Sequence, residues 1–413
     1  MKPLTMKEEW LNERQRKNLS ILEAIKRFGP ISKTDISKMS GLNIVTVTNY
    51  IETFLKSNVV FETELDISTG GRRPILLDLN SKAGFAIGVG MNLLNSVAMV
   101  TDLDGNVIHR VKKDSFGLSA KEVADSIVAI VDEVITSSRI DTQKLQGVGV
   151  GIAGVVNNKT GSIRWPEKIE NKSCSYISMY LPLKDMIEKQ FKIPCILEND
   201  ATVACFGEQW LSSEMDIDNV IYMFSGVGCG IMINREVYRG TSGSAGELSI
   251  DNPQEESLLN CDFGSPCIAK RWEADLGLVR ATQSILKDNS AIRKTSIILQ
   301  AAGGQLESIK LAHIFQAAKE NDPLATSLLE MGAKRLGIKI ASLVNLLNPQ
   351  LVIIGGGFEE AGDAFLDTVK ETVSQWAFEE VFTAVKIVAS RLGEDSVALG
   401  AASLVVRNVF AHF

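Results

Sequence analysis

The chain has 413 residues, of which 45% are hydrophobic and 23% are charged, and its formal net charge is −7. This length exceeds one ordinary core and the composition is that of a globular protein, so we expect two or three domains. No run of about 18 apolar residues occurs, which argues against a membrane segment. Six cysteines, mostly in apolar surroundings, indicate reduced thiols. We therefore expect a cytoplasmic protein.

The charge is unevenly distributed along the chain. The first 80 residues contain 12 basic and 10 acidic side chains, whereas the remainder contains 31 basic and 40 acidic side chains. The acidic bulk of the protein would repel DNA. Only the first segment could therefore approach a phosphate backbone.

Residues 1–80 predict a winged helix-turn-helix domain. We expect a first helix that ends before Gly29-Pro30, a short helix from about Lys33 to Ser40 and, after a turn, a second helix from about Ile44 to Lys56. The apolar positions are spaced to pack the last two helices across a tight turn. Two strands around a glycine-rich tip would follow as the wing.

The predicted DNA contacts lie on the second helix and on the wing. In the major groove the helix would expose Asn43, Thr46, Thr48 and Asn49. At the base of the wing, Arg72 and Arg73 would contact phosphates or a minor groove. The same helical spacing also occurs in domains that bind no DNA, and this helix has no basic residue before Lys56. Asn43 would also cap the helix.

From residue 81 the pattern becomes α/β, with two similar halves. Each half opens with strands joined by tight turns and continues with strand–helix units, which suggests an internal duplication. The apolar helical segment LGIKIASLVNLL is interpreted as core. We expect domains at 1–80, 81–203 and 204–393, with the C-terminal helix, 394–413, completing the second of these.

Four motifs in this region resemble those of one known family. They are VGVGIAG, ENDATVACFGE, FSGVGCGIMINREVYRGTSGSAGE and NPQLVIIGGG, in that order. With the winged helix-turn-helix before them, they resemble the ROK family of sugar kinases and sugar-responsive repressors. The resemblance implies a two-lobed actin/hexokinase-like domain that binds a sugar and ATP in the cleft between its lobes. Xylose repressors of the family share this layout, which makes xylose one candidate effector.

The resemblance also assigns site residues. Asp200 matches the catalytic base position, while Asn199 and Glu247 match sugar contacts. The second phosphate loop corresponds to Gly226, Gly228 and Gly230. Two simpler interpretations stay open, because an Asn-Asp pair is typical of a helix N-terminus and a glycine-rich segment is typical of a hairpin turn.

The chain departs from the family's kinases at two places. Their first phosphate loop has Asp-x-Gly-Gly-Thr, where this sequence has Gly90 and then Asn92, Leu93 and Leu94. Their zinc-binding histidine is replaced by Ile250, and Cys261 and Cys267 do not have the spacing of their cysteine cluster. A further sugar-binding glutamate is replaced by Ala269, and Glu273 is the candidate substitute after a helix shift. We expect no zinc, no ATP with Mg²⁺ and no phosphoryl transfer.

Three functions follow as hypotheses. The first is a transcriptional regulator of carbohydrate-utilisation genes that binds operator DNA as a homodimer or dimer of dimers and responds to a sugar or sugar derivative. The second is an active ATP-dependent sugar kinase that uses Asp200 as base. The third is a constitutive repressor or scaffold that binds no ligand.

Overall fold

The computed structural model of the protein describes residues 11–64, 75–91, 95–114, 120–157, 160–168, 176–212, 217–226, 228–248 and 276–413. No helix in these ranges combines the length and the apolarity needed to cross a lipid bilayer. The elements below are numbered in chain order within the same ranges.

The N-terminal region has three helices and a small antiparallel sheet. The helices are α1 (Glu13–Phe28), α2 (Lys33–Ser40) and α3 (Ile44–Lys56). The strands are β1 (Ile31–Ser32), β2 (Val60–Glu64) and β3 (Ile75–Leu79), in the order β1–β3–β2. The predicted bounds of α2 and α3 are confirmed.

Local signals explain where these helices begin. Asn12 and Gln15 form a capping box at the start of α1, and the Ser32 hydroxyl accepts a hydrogen bond from the Asp35 amide at 3.2 Å. Such caps satisfy amides that have no partner within the helix. Gly41 ends α2 with a φ of 67°, a left-handed conformation that glycine adopts without strain.

The first α/β half contains a five-stranded mixed sheet. Its strands are β4 (Phe85–Met91), β5 (Asn95–Asp102), β6 (Val107–Asp114), β7 (Leu145–Ile152) and β11 (Cys195–Asn199). A second sheet of this half contains β8 (Val155–Asn157), β9 (Ser162–Lys168) and β10 (Tyr176–Leu181). The helices are α4 (Ala120–Ser138), α5 (Leu183–Phe191) and α6 (Asp200–Trp210).

The second half contains another five-stranded sheet and most of the remaining helices. The strands are β12 (Val220–Phe224), β13 (Gly228–Ile233), β14 (Glu236–Val237), β15 (Leu351–Gly355) and β16 (Lys386–Ala389). The helices are α7 (Leu278–Asp288), α8 (Ser290–Thr295), α9 (Ile297–Ala301), α10 (Leu311–Lys319), α11 (Pro323–Leu347), α12 (Asp363–Trp376) and α13 (Glu379–Ala384). The C-terminal helix is α14 (Ser396–His412).

The two large sheets share one topology. Their orders are β11–β7–β4–β5–β6 and β14–β13–β12–β15–β16. In each sheet the central strand, β4 or β12, pairs on one side with the first of two antiparallel strands. On its other side lie two strands that run parallel to it. This repeated order agrees with the duplication inferred from the sequence.

Close packing of α14 on the first sheet depends on glycine. A Cβ atom on Gly88 of β4 would overlap the Ala398 carbonyl oxygen, and one on Gly149 of β7 would overlap that of Ala401. Both strands therefore present a surface without side chains where the helix backbone lies. The alternating glycines of FAIGVGM and GVGVG are thus required by a helix about 250 to 310 residues further along the chain.

The chain divides into two compact units. The first unit comprises residues 1–165, 179–215 and 395–413, and the second comprises residues 166–178 and 216–394. The N-terminal region therefore belongs to the same unit as the first sheet. The limit expected at residue 204 would fall within α6, which lies wholly in the first unit.

The core interpretation of LGIKIASLVNLL needs a correction. Leu336, Ile340 and Val344 of α11 are buried as expected, but Ile338 is 41% exposed and Leu346 is 76% exposed. Both residues lie on the outer face of the helix. They are about two turns apart, and residues separated by whole turns of about 3.6 residues share a face. Of the cysteines, Cys195 and Cys229 are buried free thiols, as the sequence suggested.

Candidate DNA-binding face and effector residues

The outer face of α3 carries the residues predicted to contact bases. Asn43 and Asn49 are exposed, whereas Thr46 and Thr48 are half-buried. The Asn43 side chain accepts a hydrogen bond from the Thr46 amide at 2.8 Å, and the Thr48 hydroxyl donates to the Ile44 carbonyl at 2.8 Å. The two asparagines are therefore better placed for base contacts than the two threonines.

The predicted contacts omit Val45 of α3, which is 66% exposed. It lies off the buried stripe of this helix, which consists of Val47, Ile51 and Phe54. Its position off that stripe could have been noticed in the sequence. An apolar side chain in the major groove can contact the methyl group of thymine. The wing residues Arg72 and Arg73 lie outside the described residues.

Asn199 and Asp200 form the N-terminus of α6. The side-chain oxygen (Oδ1) of Asn199 accepts a hydrogen bond from the Thr202 amide at 3.2 Å, and its side-chain nitrogen donates to the Gly154 carbonyl at 3.2 Å. Asn199 is therefore an N-cap that also ties α6 to the segment after β7. Asp200 is 7% exposed and one of its carboxylate oxygens accepts from the Ala201 amide. The helix dipole favours a carboxylate here.

Gly90 lies against the start of α14. A Cβ atom at this position would be 2.8 Å from the Ala398 nitrogen and 2.9 Å from the Val397 Cβ. No side chain can be accommodated without a shift of the helix backbone. The position that matches the carboxylate of the family's kinases is thus closed to any acidic residue. Residues 92–94 lie outside the described residues.

The predicted phosphate loop forms the turn and second strand of the β12–β13 hairpin. Gly226 has a φ of 71°, while Gly228 and Gly230 pair with β12. The Gly226 carbonyl accepts a hydrogen bond from the Lys339 ammonium at 2.8 Å. Sequence reasoning missed Lys339, because it lies on α11, more than 100 residues away. A cation beside a glycine turn favours anions, so the loop is compatible with an anionic ligand.

Glu247 is held beside this hairpin in the second unit. It forms a bridge with Gly228, and the Cys229 amide donates to the Gly246 carbonyl at 2.8 Å. Glu247 is exposed, yet desolvation by the protein atoms around it raises the pKa of its carboxyl. Burial, and secondly the charge of Glu247, raise the pKa of the Cys229 thiol to about 12. This thiol is therefore unreactive at neutral pH.

The candidate residues are distributed over both units. Asn199 and Asp200 belong to the first unit, and the glycine turn and Glu247 belong to the second. Ile250, Cys261, Cys267, Ala269 and Glu273 lie outside the described residues, so the expected lack of a zinc site stays a prediction. Within the described ranges, no group of three or more His, Cys, Asp or Glu side chains is arranged to hold a metal ion.

Comparison with known proteins shows the family. Residues 86–408 match the ROK family, and the chain therefore belongs to it. The chain is 28% identical over 394 residues to the xylose repressor of Bacillus subtilis (strain 168), a match that covers 94% of each protein. The fold is thus a ROK domain preceded by a region of three helices and a small antiparallel sheet.

Two solved structures support the same fold. A ROK family transcriptional regulator, a homologue of the E. coli MLC protein, aligns with a TM-score of 0.74 at 21% identity and covers 96% of this chain and 97% of its own. A ROK family glucokinase from Streptomyces griseus, in complex with glucose and AMPPNP, aligns with a TM-score of 0.65 at 27% identity. That match covers 78% of this chain and 99% of the glucokinase, so the kinase lacks a counterpart to part of this protein.

Proposed function

We propose that this protein is a DNA-binding transcriptional repressor of carbohydrate-utilisation genes, and that a sugar or sugar derivative regulates it. The observation that carries the proposal is the outer face of α3, where Asn43, Val45 and Asn49 are exposed on a capped helix. Asparagine can bond adenine with two hydrogen bonds, and valine can contact thymine. The likeness to a xylose repressor over nearly the whole chain supports the same function.

The operator would be read by two or more copies of the chain. Each copy contributes one helix-turn-helix region, and such regions bind paired half-sites about one helical turn of DNA apart. A homodimer or dimer of dimers on a palindromic operator meets this requirement. The basic excess of the first 80 residues would direct that region, rather than the acidic lobes, to the phosphates.

The effector would be held by Asn199, Asp200 and Glu247. Amide and carboxylate groups recognise the hydroxyls of a sugar by directional hydrogen bonds, and they do so without chemistry. Xylose is the first candidate, because the chain resembles a xylose repressor over 94% of its length. Lys339 beside the glycine turn makes a phosphorylated sugar the second candidate.

The packing of Gly90 supports a loss of phosphoryl transfer. Kinases need metal ions and close backbone contacts around the transferred phosphate. Because α14 fills the space beside Gly90, the metal-associated carboxylate of the family's kinases has no equivalent at this position. We infer that the protein binds neither ATP with Mg²⁺ nor zinc as a working cofactor.

Mobility-shift titration with the DNA upstream of its own gene tests the proposal. The protein should bind one fragment in preference to a scrambled fragment at several salt concentrations. Asn49→Ala should weaken binding to that fragment roughly tenfold or more and leave binding to the scrambled one unchanged, because base contacts carry specificity. Ser57→Ala, an exposed change beyond the end of α3, is the control. Equal affinity for both fragments at every salt concentration would contradict the proposal.

An active sugar kinase is the second candidate. Its support is the presence of Asp200 and of the glycine turn, together with 27% identity to the Streptomyces griseus glucokinase. A coupled ADP-release assay with pentoses, hexoses and N-acetylhexosamines decides between the two functions. Turnover that requires ATP and is lost in Asp200→Asn would establish the kinase.

A repressor without any ligand is the third candidate. Thermal-shift screening against sugars and phosphorylated sugars separates it from the regulated form, since a ligand that binds the folded state raises the melting temperature. A rise that disappears in Asn199→Ala would support the regulated repressor. Unchanged melting temperatures across the whole panel would support the constitutive one.

A further inference from the structure

The DNA-binding region is attached to the C-terminal helix of its own unit. Asn18 of α1 is 2% exposed, and its side-chain amide donates to the carbonyl oxygens of Ala411, at 3.1 Å, and Phe413. The Phe54 ring of α3 lies edge-on to the Phe413 ring, with centroids 6.4 Å apart. The last carbonyls of a helix lack partners within it, so Asn18 completes the end of α14.

A second contact joins α1 to the end of α6. The Lys26 ammonium lies 5.8 Å from the centroid of the Trp210 ring and 3.6 Å from a carboxylate oxygen of Asp104. Only 8% of the Lys26 side chain is exposed, and burial lowers the pKa of its ammonium while Asp104 acts in the opposite direction. A buried cation needs such partners, so the pair fixes where α1 lies on α6.

The helix α6 has no room to move independently of α14. All 11 of its residues are buried. Trp210 lies between Phe206 and Phe410, with ring centroids at 5.5 and 6.3 Å. A Cβ atom on Gly207 would be 2.7 Å from the Gly400 Cα, which means that the two helix backbones are in contact. A displacement of α6 would therefore be transmitted to its neighbours rather than absorbed.

The other end of α6 carries Asn199 and Asp200. We propose that α6 is the coupling element of this protein, and that Lys26 and Trp210 are positioning residues for the DNA-binding region. A ligand held at the N-terminus of α6 shifts the helix, and Trp210 passes the shift to α1 through Lys26. The helix spans about 16 Å, so coupling over this distance needs only one rigid element. The proposal rests on the proposed repressor function and adds the route of its regulation.

Amide hydrogen exchange with and without operator DNA tests the route. Coupling between two sites is reciprocal, so DNA bound at α3 must alter the α6 end of the route. In the wild-type chain, operator binding should change the exchange rates of residues 200–210 about fivefold or more. Lys26→Met should reduce this change, since α14 also contacts α1 through Asn18, and Lys26→Arg should retain it because arginine keeps the cation over the ring.

Lys17→Met is the matched control. It also removes a lysine from α1, but Lys17 pairs with Glu13 of the same helix. Lys17→Met should behave as the wild type in the exchange measurement. If Lys26→Met does not fold, Trp210→Phe keeps an aromatic ring between Phe206 and Phe410 while weakening the cation–π contact, and should reduce the exchange change.

The outcomes separate this inference from the proposed function. If the wild-type chain shows no preference for operator DNA, the repressor function fails and the coupling route fails with it. If the wild type binds its operator but residues 200–210 exchange as before, or if Lys26→Met responds as the wild type, only the coupling route is overturned. A reduced response in Lys26→Met with retention in Lys26→Arg and Lys17→Met supports it.

Discussion

Gly90 shows how packing can rule out a side chain at one position. It lies under the first turn of α14, where Val397 and Ala398 occupy the space that a side chain would need. In a kinase of this family the matching position is implied to be a carboxylate near the metal. In this protein, core residues fill that space. The difference from the kinases at this position is therefore one of packing as well as of sequence.

Restoring the acid should therefore damage the fold and supply no activity. Gly90→Asp would force an overlap with the Ala398 backbone and place a charge among buried groups, which together should lower the free energy of unfolding by about 2 kcal/mol or more. Urea denaturation measures this loss. Gly228→Ala is the control, because the nearest atom to its Cβ, the Gly246 oxygen, lies at 3.9 Å. Equal free energies of unfolding for Gly90→Asp and the wild type would contradict the prediction and mean that α14 shifts at little energetic cost.

Asn43 at the start of α3 has a structural role and a proposed functional one. Its side-chain oxygen accepts a hydrogen bond from the Thr46 amide, and the residue is exposed on the face proposed to meet DNA. The cap occupies one lone pair of the side-chain oxygen, so the side-chain NH₂ group stays available as a donor to DNA.

Two substitutions at this position separate the roles. Asn43→Ala removes the cap and should lower the free energy of unfolding by about 1 kcal/mol, with a loss of operator affinity. Asn43→Ser retains a capping oxygen, so stability should stay close to that of the wild type while operator affinity falls. Thermal unfolding and DNA titration on both variants give the answer. An operator affinity of Asn43→Ser equal to that of the wild type would show that Asn43 acts only as a helix cap.

The helix-turn-helix elements could be predicted because their signals are local. Asn43, Gly41 and Ser32 mark helix ends within a few residues, and the bounds of α2 and α3 follow from them. The duplicated sheets followed from alternating strand and helix patterns in the same way. Predictions of this kind need no knowledge of which elements touch.

The contacts of the candidate site could not be predicted in this way. Lys339 reaches Gly226 from a helix that lies 113 residues further on, and Gly90 meets Ala398 across about 300 residues. A lone lysine in an amphipathic helix carries no signal of its partner. The sequence could identify the motifs. Only the folded chain shows that α14 fills the space beside Gly90 and that the Lys339 ammonium lies beside Gly226.

At the scale of the whole molecule, the N-terminal region and the first sheet belong to one compact unit. The end of α14 lies in that unit, where the carbonyl oxygens of Ala411 and Phe413 accept hydrogen bonds from Asn18. Altering this contact should loosen the N-terminal region from the sheet. The end of α14 therefore contributes to the position of the N-terminal region.

Asn18→Asp tests this attachment. A carboxylate cannot donate to the two carbonyl oxygens, so the buried contact becomes repulsive, and the free energy of unfolding should fall by about 2 kcal/mol or more. Asn408→Asp, an exposed change on α14, should cost less than about 0.5 kcal/mol. Limited proteolysis between the N-terminal region and the lobe should become faster in Asn18→Asp alone. Unchanged proteolysis would show that other contacts suffice.

We propose that one chain binds both an operator and a sugar, and that the two affinities are linked. Fluorescence anisotropy of labelled upstream DNA, titrated with the protein in the presence and absence of D-xylose and related free and phosphorylated sugars, measures this linkage. At least one sugar should change the operator affinity about fivefold or more, while affinity for scrambled DNA is unchanged. An operator affinity that no sugar changes, or identical affinity for operator and scrambled DNA, would contradict the proposed linkage.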